Sequence, residues 1–485
     1  MAKQQFNDRG FKTELIKNNT KTFMKHILFT IALGIAGQAW SQSATPMATS
    51  SAEISPQKMG LRDAIAYAKE HNASFLNAQK DVLISKETVK QTVAAGMPQV
   101  SASAGFQQFL TVPGSWIKNF VEQPGAPDFI FLKFQQEFTS NATLGVNQLL
   151  WDGTYMVGLQ ATQQFLNMSK LAEAKTLRDL ENNITKSYIT AVSTQKNLAL
   201  IEANLALLER SLFEVQALRK EGFAEQLDVE RLELNVSNLK LQKEKLANAV
   251  LLTRNILKMQ MGMPMENSLE LADDLEALEA AISITDAEVA TFSVNNRIEN
   301  RILEQAITLG KLDQKRYKYS SFPSLVAFYQ HQENTQRPEF NFFKGNLPIN
   351  NSWVPSDVWG LSLRVPIYGG GATRSKIRET ELKIAKAQND LNNFQRYATM
   401  EYENSKNSYL QNLQSVIIQK QNVQLAEKIY AKSMTKFREG VGSTLEITQA
   451  ETELRTANNS YLNALYDLVN SKIDLKNAIG QSVQP

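Results

Sequence analysis

The stretch "VPIYGGGATRSKI", Val365 to Ile377, sets three consecutive glycines ahead of a polar, basic segment. Such a loop can hold a phosphate on its backbone N–H groups. That chemistry also needs a Lys-Ser/Thr at fixed spacing, or the spaced glycines of a dinucleotide fold, and neither is present. Other reactive groups are scarce. There is no cysteine, which excludes disulfides, thiolate metal sites and cysteine nucleophiles. The three histidines, His26, His71 and His331, include no pair at helical spacing. No Gly-x-Ser-x-Gly elbow occurs, and Asp273-Asp274 sits in a polar stretch where solvation is its simplest role. The expectation is no enzyme, no cofactor and no metal.

The glycines are explained by the elements around them. "LGVNQLLWDGTYMVGLQAT" (Leu144–Thr162) matches "LSLRVPIYGGGATRSKIRE" (Leu361–Glu379), with Trp151 opposite Tyr368, an offset of 217. "RKEGFAEQLDVERLE" (Arg219–Glu233) matches "REGVGSTLEITQAETE" (Arg438–Glu453), with position 222 opposite 440, an offset of 218. "MPQVSASAGF" (Met97–Phe106) matches "FPSLVAFYQ" (Phe322–Gln330), with 98 opposite 323, an offset of 225. Three pairs in one order at nearly constant offset indicate a unit used twice. The glycines then correspond to "WDGTY", which has no phosphate-loop character. Asp152-Gly153 and Gly369-Gly370 are read as strand-to-helix turns.

The formal charge of +3 belongs to the first 41 residues. Six basic residues (Lys3, Arg9, Lys12, Lys17, Lys21, Lys25) face Asp8 and Glu14 there, so the remainder carries −1. No basic footprint for nucleic acid is left. "MKHILFTIALGIAGQAWSQ" (Met24–Gln42) has the cationic start, short apolar run and small residues of a secretory leader, with either Met1 or Met24 as the start. Its apolar run is too short to span a bilayer.

Each unit reads helix, strand, long loop, strand, very long helix, tight turn, long helix. The strands are expected near Val100–Phe109, ending at Trp151, near Ser324–Gln330 and near Val358–Tyr368. In the last, Leu361, Leu363, Val365 and Ile367 alternate with Gly360, Ser362, Arg364 and Pro366, so the strand separates an apolar from a polar environment. In a soluble sandwich the apolar face is core; in a membrane barrel it faces lipid. Four strands cannot close a barrel, so a bilayer-crossing version needs further copies of the chain. Long loops, Thr111–Asn141 and His331–Asp357, separate the strands of each pair. Thr154–Glu221 and Thr373–Glu439 lack proline and read as helices about 100 Å long. Ile201, Leu205, Leu208, Leu212 and Val215, answered by Val229, Leu232, Val236 and Leu239, have coiled-coil spacing. Gly222 and Gly440 stop the first helix of each hairpin.

This doubled order resembles the outer membrane efflux protein family, typified by TolC, from "LRDAIAYAKEHN" (Leu61–Asn72) to "LKNAIG" (Leu475–Gly480). "MPQVSASAGF", "LLWDG", "VPIYGGG" and the paired hairpin tips carry the resemblance. It implies an α+β membrane protein: a duplicated strand–long helical hairpin unit, forming a trimeric 12-stranded β-barrel in the outer membrane of a Gram-negative bacterium. A coiled-coil α-helical barrel would continue it into the periplasm. The expected organisation is a leader at 1–41, a first repeat at 42–263, an equatorial linker at 264–296, a second repeat at 297–480 and a tail at 481–485. The implied function is a passive exit duct for efflux or type I secretion. Its implied partners are outer membrane lipid, a periplasmic adaptor and an inner-membrane pump. A periplasmic coiled-coil adaptor or scaffold is the competing reading, although adaptors usually carry one hairpin.

By the same resemblance, the periplasmic aperture falls on Glu446 and Gln449, with Asp228 on the opposing hairpin. Only Glu446 keeps the family's acid there, and a solvated helix-face glutamate explains it equally well. Phe437 and Gly442 stand where the family has a Tyr and an Arg that latch the entrance, which leaves Asp228 without those partners. Arg219, Gly222, Arg438, Gly440 and Gly442 are the candidate adaptor-facing tips. Helix termination with cationic residues at helix C-termini is their plainer explanation.

Overall fold

In the computed structural model, the described residues are 57–120, 125, 127–282, 292–342, 352–439 and 441–481. The expected leader (1–41), Gly440 and all but the first residue of the tail lie outside them.

Two helical hairpins dominate. The first joins α3 (Gly153–Lys220, 68 residues) to α4 (Gln226–Met261, 36 residues). The second joins α7 (Ala372–Arg438, 67 residues) to α8 (Thr444–Ala478, 35 residues). Most of the stability of such helices comes from packing an apolar face rather than from propensity. Ile201, Leu205, Leu208 and Val215 of α3 are buried against Val229, Leu232, Val236 and Leu239 of α4. Gly222 ends α3 with φ +84°, and Phe223 N–H closes the turn on Leu218 O at 2.9 Å. The second hairpin turns with the same bond, Val441 N–H to Lys436 O at 3.0 Å.

The strand-to-helix turns also resolve. Asp152 caps α3, its carboxylate accepting from Tyr155 N–H at 2.9 Å. In the second unit Gly370 and Gly371 carry the left-handed φ values, +62° and +83°, so the turn uses the second and third glycines of the triplet.

A sheet runs in the order β2 (Gln99–Gln108), β5 (Phe138–Trp151), β7 (Ser324–Arg337), β8 (Val354–Arg364), every neighbour antiparallel. Three strand expectations need correction. β8 ends at Arg364 rather than Tyr368, because Pro366 offers no N–H and Ile367, 93% exposed, has no partner strand. β7 and β8 pair as far as Asn334 and Val354, so the expected loop His331–Asp357 shrinks to 338–353. The other expected loop, Thr111–Asn141, contains a hairpin of β3 (Gly114–Lys118) and β4 (Phe129–Lys133), and β5 already begins at Phe138.

Midway along the helices, distant segments meet. β1 (Gln57–Met59) pairs in parallel with β6 (Leu269–Leu271), one strand from each side of the boundary expected at 263. α1 (Leu61–His71) and α5 (Leu275–Ala281) pack with them on the middle of α3, around Ile184, Tyr188 and Ile189. The buried Tyr188 hydroxyl donates to Met59 O at 2.9 Å. α4 stops at Gly262, whose φ is +75° and whose missing Cβ would lie 2.4 Å from His71 O, between α1 and α2 (Ala73–Ala94).

An ion chain fastens the two halves beside this core. Arg178 of α3 pairs with Glu299 at the start of α6 (Ile298–Tyr319). Arg297 bonds Glu299 at 3.3 Å, Glu401 of α7 at 2.9 Å and the Ala478 carbonyl of α8 at 3.2 Å. Both guanidinium groups are buried, so each depends on these partners for compensation. Burial pushes the Glu299 carboxyl up, but the Arg178 hydrogen bonds and the two positive charges outweigh it and hold it at about 2.

Two outcomes follow. Gly262→Ala should destabilise by at least about 1 kcal/mol, through a left-handed β-carbon against the His71 carbonyl, read as a lower denaturant midpoint. Glu299 ionises below its ordinary 4.5 when folded, so its contribution is complete above pH 4.5 and is lost as pH falls toward 2. Up to about 3 kcal/mol of stability should disappear across that window, and Glu299→Gln should flatten that part of the stability–pH curve.

Candidate channel wall and entrance

The register divides the sheet into two faces of opposite character. Val100 and Ala102, Leu144 and Val146, Leu325 and Ala327, and Trp359, Leu361 and Leu363 share one face. The other carries Ser101 and Ser103, Asn141 and Thr143, Gln330 and Gln332, and Ser356 and Ser362, interrupted by Val326, Phe328 and Val358. Among the described residues no second layer covers the apolar face: Leu361 and Leu363 are 61% and 64% exposed. Strands of 10, 14, 14 and 11 residues are long enough to cross a hydrocarbon layer at the tilt of a barrel.

Aromatic and polar residues mark the ends of this apolar band. Trp151, Tyr319 and Phe322 stand near the helical end. Towards the loops come Tyr329 and Trp359, paired across β7 and β8. One step further, Asp357 accepts from the Tyr329 hydroxyl at 2.7 Å and bonds His331 Nδ1 at 2.9 Å. Above these, Phe340 and Phe342 from the second loop pack edge-on to Phe106. This is the layering of an interface between hydrocarbon and water. Among the described residues no helix is long and apolar enough to cross a membrane.

At the far end of the hairpins, Asp228 and Glu446 occupy equivalent positions, each in the first turn of its return helix. Asp228 accepts from Glu225 N–H at 3.4 Å, so its carboxylate serves its own helix start. Ser443 caps α8 by accepting from Glu446 N–H at 3.2 Å, leaving the Glu446 carboxylate exposed in a position that also complements the helix dipole. Gln449 shares the exposed face of Glu446 and donates to Glu453 at 3.3 Å. Glu453 lies seven residues beyond Glu446, on the same exposed face of α8.

Arg219 and Gly222 are exposed at the first tip, and Gly442 tucks against the end of α7, where a Cβ would stand 2.9 Å from Phe437 N. Phe437 packs on the apolar stripe of the first hairpin. The tips are held together by Arg438 to Glu214 of α3 at 3.4 Å, and further in by Arg455 to Gln242 of α4 at 3.2 Å. On the same stretch of α8, burial pushes the Glu451 carboxyl up despite the nearby Arg455, and its Oε1 has no hydrogen-bond partner.

Comparison with known proteins agrees with this geometry. The family model "Outer membrane efflux protein" matches residues 320–481. "Outer membrane protein TolC" of Vibrio cholerae is 22% identical over 428 residues, 85% of this chain and 89% of that protein. "Proteases secretion protein PrtF" of Dickeya chrysanthemi is 19% identical over 66% of this chain and 67% of its own length. Among solved structures, the outer membrane protein VceC from Vibrio cholerae superposes with a TM-score of 0.68 at 14% identity, covering 87% of this chain and 97% of that one. Residues 320–481 thus match the outer membrane efflux protein family, and the chain over most of its length is similar to outer membrane protein TolC and shares the fold of solved outer membrane channels.

Proposed function

We propose that three copies of this chain assemble into a passive exit duct, leading substrates from the periplasm through the outer membrane to the exterior. The observation that carries this reading is the open sheet with one apolar face, one polar face and two unpaired edges, β2 and β8. With four alternating strands the edges run in opposite directions, so β8 of one copy can pair antiparallel with β2 of the next. Three copies close twelve strands, with the apolar face on lipid and the polar face on a water-filled lumen.

The helices support the same assembly. Leu227, Leu234 and Leu241 form an exposed heptad stripe on α4, and on α7 the exposed pairs Leu410 with Ile417 and Ile418 with Leu425 each stand seven residues apart. Both lie outside the buried seam of the first hairpin and suit packing between copies into a helical barrel. The two repeats, 42–263 and 297–480, would each supply two strands and one hairpin, joined through 264–296. The tips at Arg219, Gly222, Arg438, Gly440 and Gly442 are the proposed docking points for a periplasmic adaptor linked to an inner-membrane pump. That pump would supply the energy, since the duct itself catalyses nothing. Glu446, with Gln449 and Asp228 nearby in the tip region, is the proposed acid of the aperture, where three carboxylates would favour cations.

Protein extracted in detergent from the outer-membrane fraction should have the native mass of a trimer. A water-soluble periplasmic monomer would return the chain to the adaptor or scaffold reading. In planar bilayers, Glu446→Gln should weaken cation preference while leaving the trimer intact; an unchanged preference would remove Glu446 from the aperture.

A further inference from the structure

The β3–β4 hairpin has two unlike faces. Its register sets Trp116 opposite Phe131, Lys118 opposite Phe129 and Lys133 opposite Gly114, all on one side. Ser115, Ile117, Ile130 and Leu132 make the other. On the first side Trp116, Phe129 and Phe131 are 70%, 59% and 45% exposed, whereas Ile117, Ile130 and Leu132 are half-buried. The hairpin thus leaves its aromatic rings exposed and its aliphatic side chains half-buried.

Gly114 shapes that outer face. A β-carbon there would stand 2.6 Å from Phe131 Cζ, so the ring lies across the glycine, beside the Trp116 indole at 5.4 Å between centroids. The product is an aromatic platform with an ammonium group at two diagonal corners. The face itself carries no carboxylate, and among the described residues neither lysine makes an ion pair. The Phe109 N–H to Glu137 O bond, 2.7 Å, roots the hairpin on the loop end of the β2–β5 ladder, away from the helices.

We infer that this face docks on the phosphate-bearing headgroups of anionic lipid in the outer leaflet, with the rings at the headgroup boundary and Lys118 and Lys133 on phosphates. The inference rests on the barrel reading. Aromatic rings flanked by snorkelling lysines suit a membrane–water interface, and ammonium groups near an anionic surface are drawn to it. A second copy of the chain fits poorly, since the faces of three protomers brought together would crowd six ammonium groups.

The test compares the detergent-purified wild-type assembly with Lys118→Ala/Lys133→Ala after reconstitution in phosphatidylcholine containing a minor fraction of phosphatidylglycerol. Native mass spectrometry then counts retained lipids. Phosphatidylglycerol retention should weaken about fivefold per lysine removed, with phosphatidylcholine unchanged. Bromine-labelled phosphatidylglycerol should quench a component of tryptophan emission that Trp116→Phe removes. Equal retention in the two proteins, or Trp116 as open to aqueous iodide in vesicles as in detergent, overturns the inference. So does efficient cross-linking between copies through Trp116→Cys, which assigns the face to a second protomer. The same spectra report the mass of the assembly: a trimer without lipid preference refutes only this docking face, whereas a monomer refutes the barrel.

Discussion

Everything in this chain answers to one requirement: each backbone N–H and C=O of a strand must find a partner, and hydrocarbon offers none. The sheet β2-β5-β7-β8 meets it internally except along its two outer edges. Its apolar face makes water a poor solvent for the sheet, and its edges make lipid a poor solvent for a single copy. Closure with further copies, as proposed, would resolve both conflicts at once. The antiparallel order, with edges of opposite direction, permits that closure without breaking the pattern.

The helical half is graded from centre to tip. At the centre a buried apolar cluster gathers β1, α1, β6 and α5 around the middle of α3, and the Arg178–Glu299–Arg297–Glu401 chain ties α3, α6 and α7 beside it. Such an ion chain adds little net attraction over an apolar replacement, but losing one member strands a buried charge, so it fixes geometry more than it adds stability. Near the tips the two hairpins touch through the Phe437 ring and a few polar contacts. Thr448, Glu451 and Arg455 each leave one buried polar atom unsatisfied along a single face of α8. Buried atoms of this kind favour separation and hydration, which lowers the cost of parting the two hairpins along this face.

Legibility followed polarity contrast. The coiled-coil seam of the first hairpin, the Gly222 stop and the Asp152-Gly153 turn were readable because each is a local pattern with one physical cause, whereas the second turn falls one glycine later than Gly369-Gly370, on Gly370 and Gly371. The lower half of β8 was readable because Leu361 and Leu363 alternate with Gly360 and Ser362. The upper part of β7, from His331 to Arg337, was read as loop because near the mouth both sides of the strand are polar and alternation carries no signal. The β3–β4 hairpin was hidden by the reverse effect, since its aromatic residues appear on both strands with no polar partner rhythm. At the entrance, Glu446 came from a position counted from the tip, whereas the cap made by Asp228 required the helix to be in place first.

The sequence by itself determined the doubled order of elements, the helix lengths, the apolar seam of the first hairpin and the scarcity of catalytic groups, because these depend on residue type and spacing along one chain. Only the tertiary structure decided that residues 57–59 pair with 269–271, and that Arg178 meets a glutamate 121 positions away. It also decided that the helical half of one sheet face gathers apolar residues from all four strands into an exposed band. Those facts depend on which distant segments share space, and no periodicity within a single element encodes its neighbour.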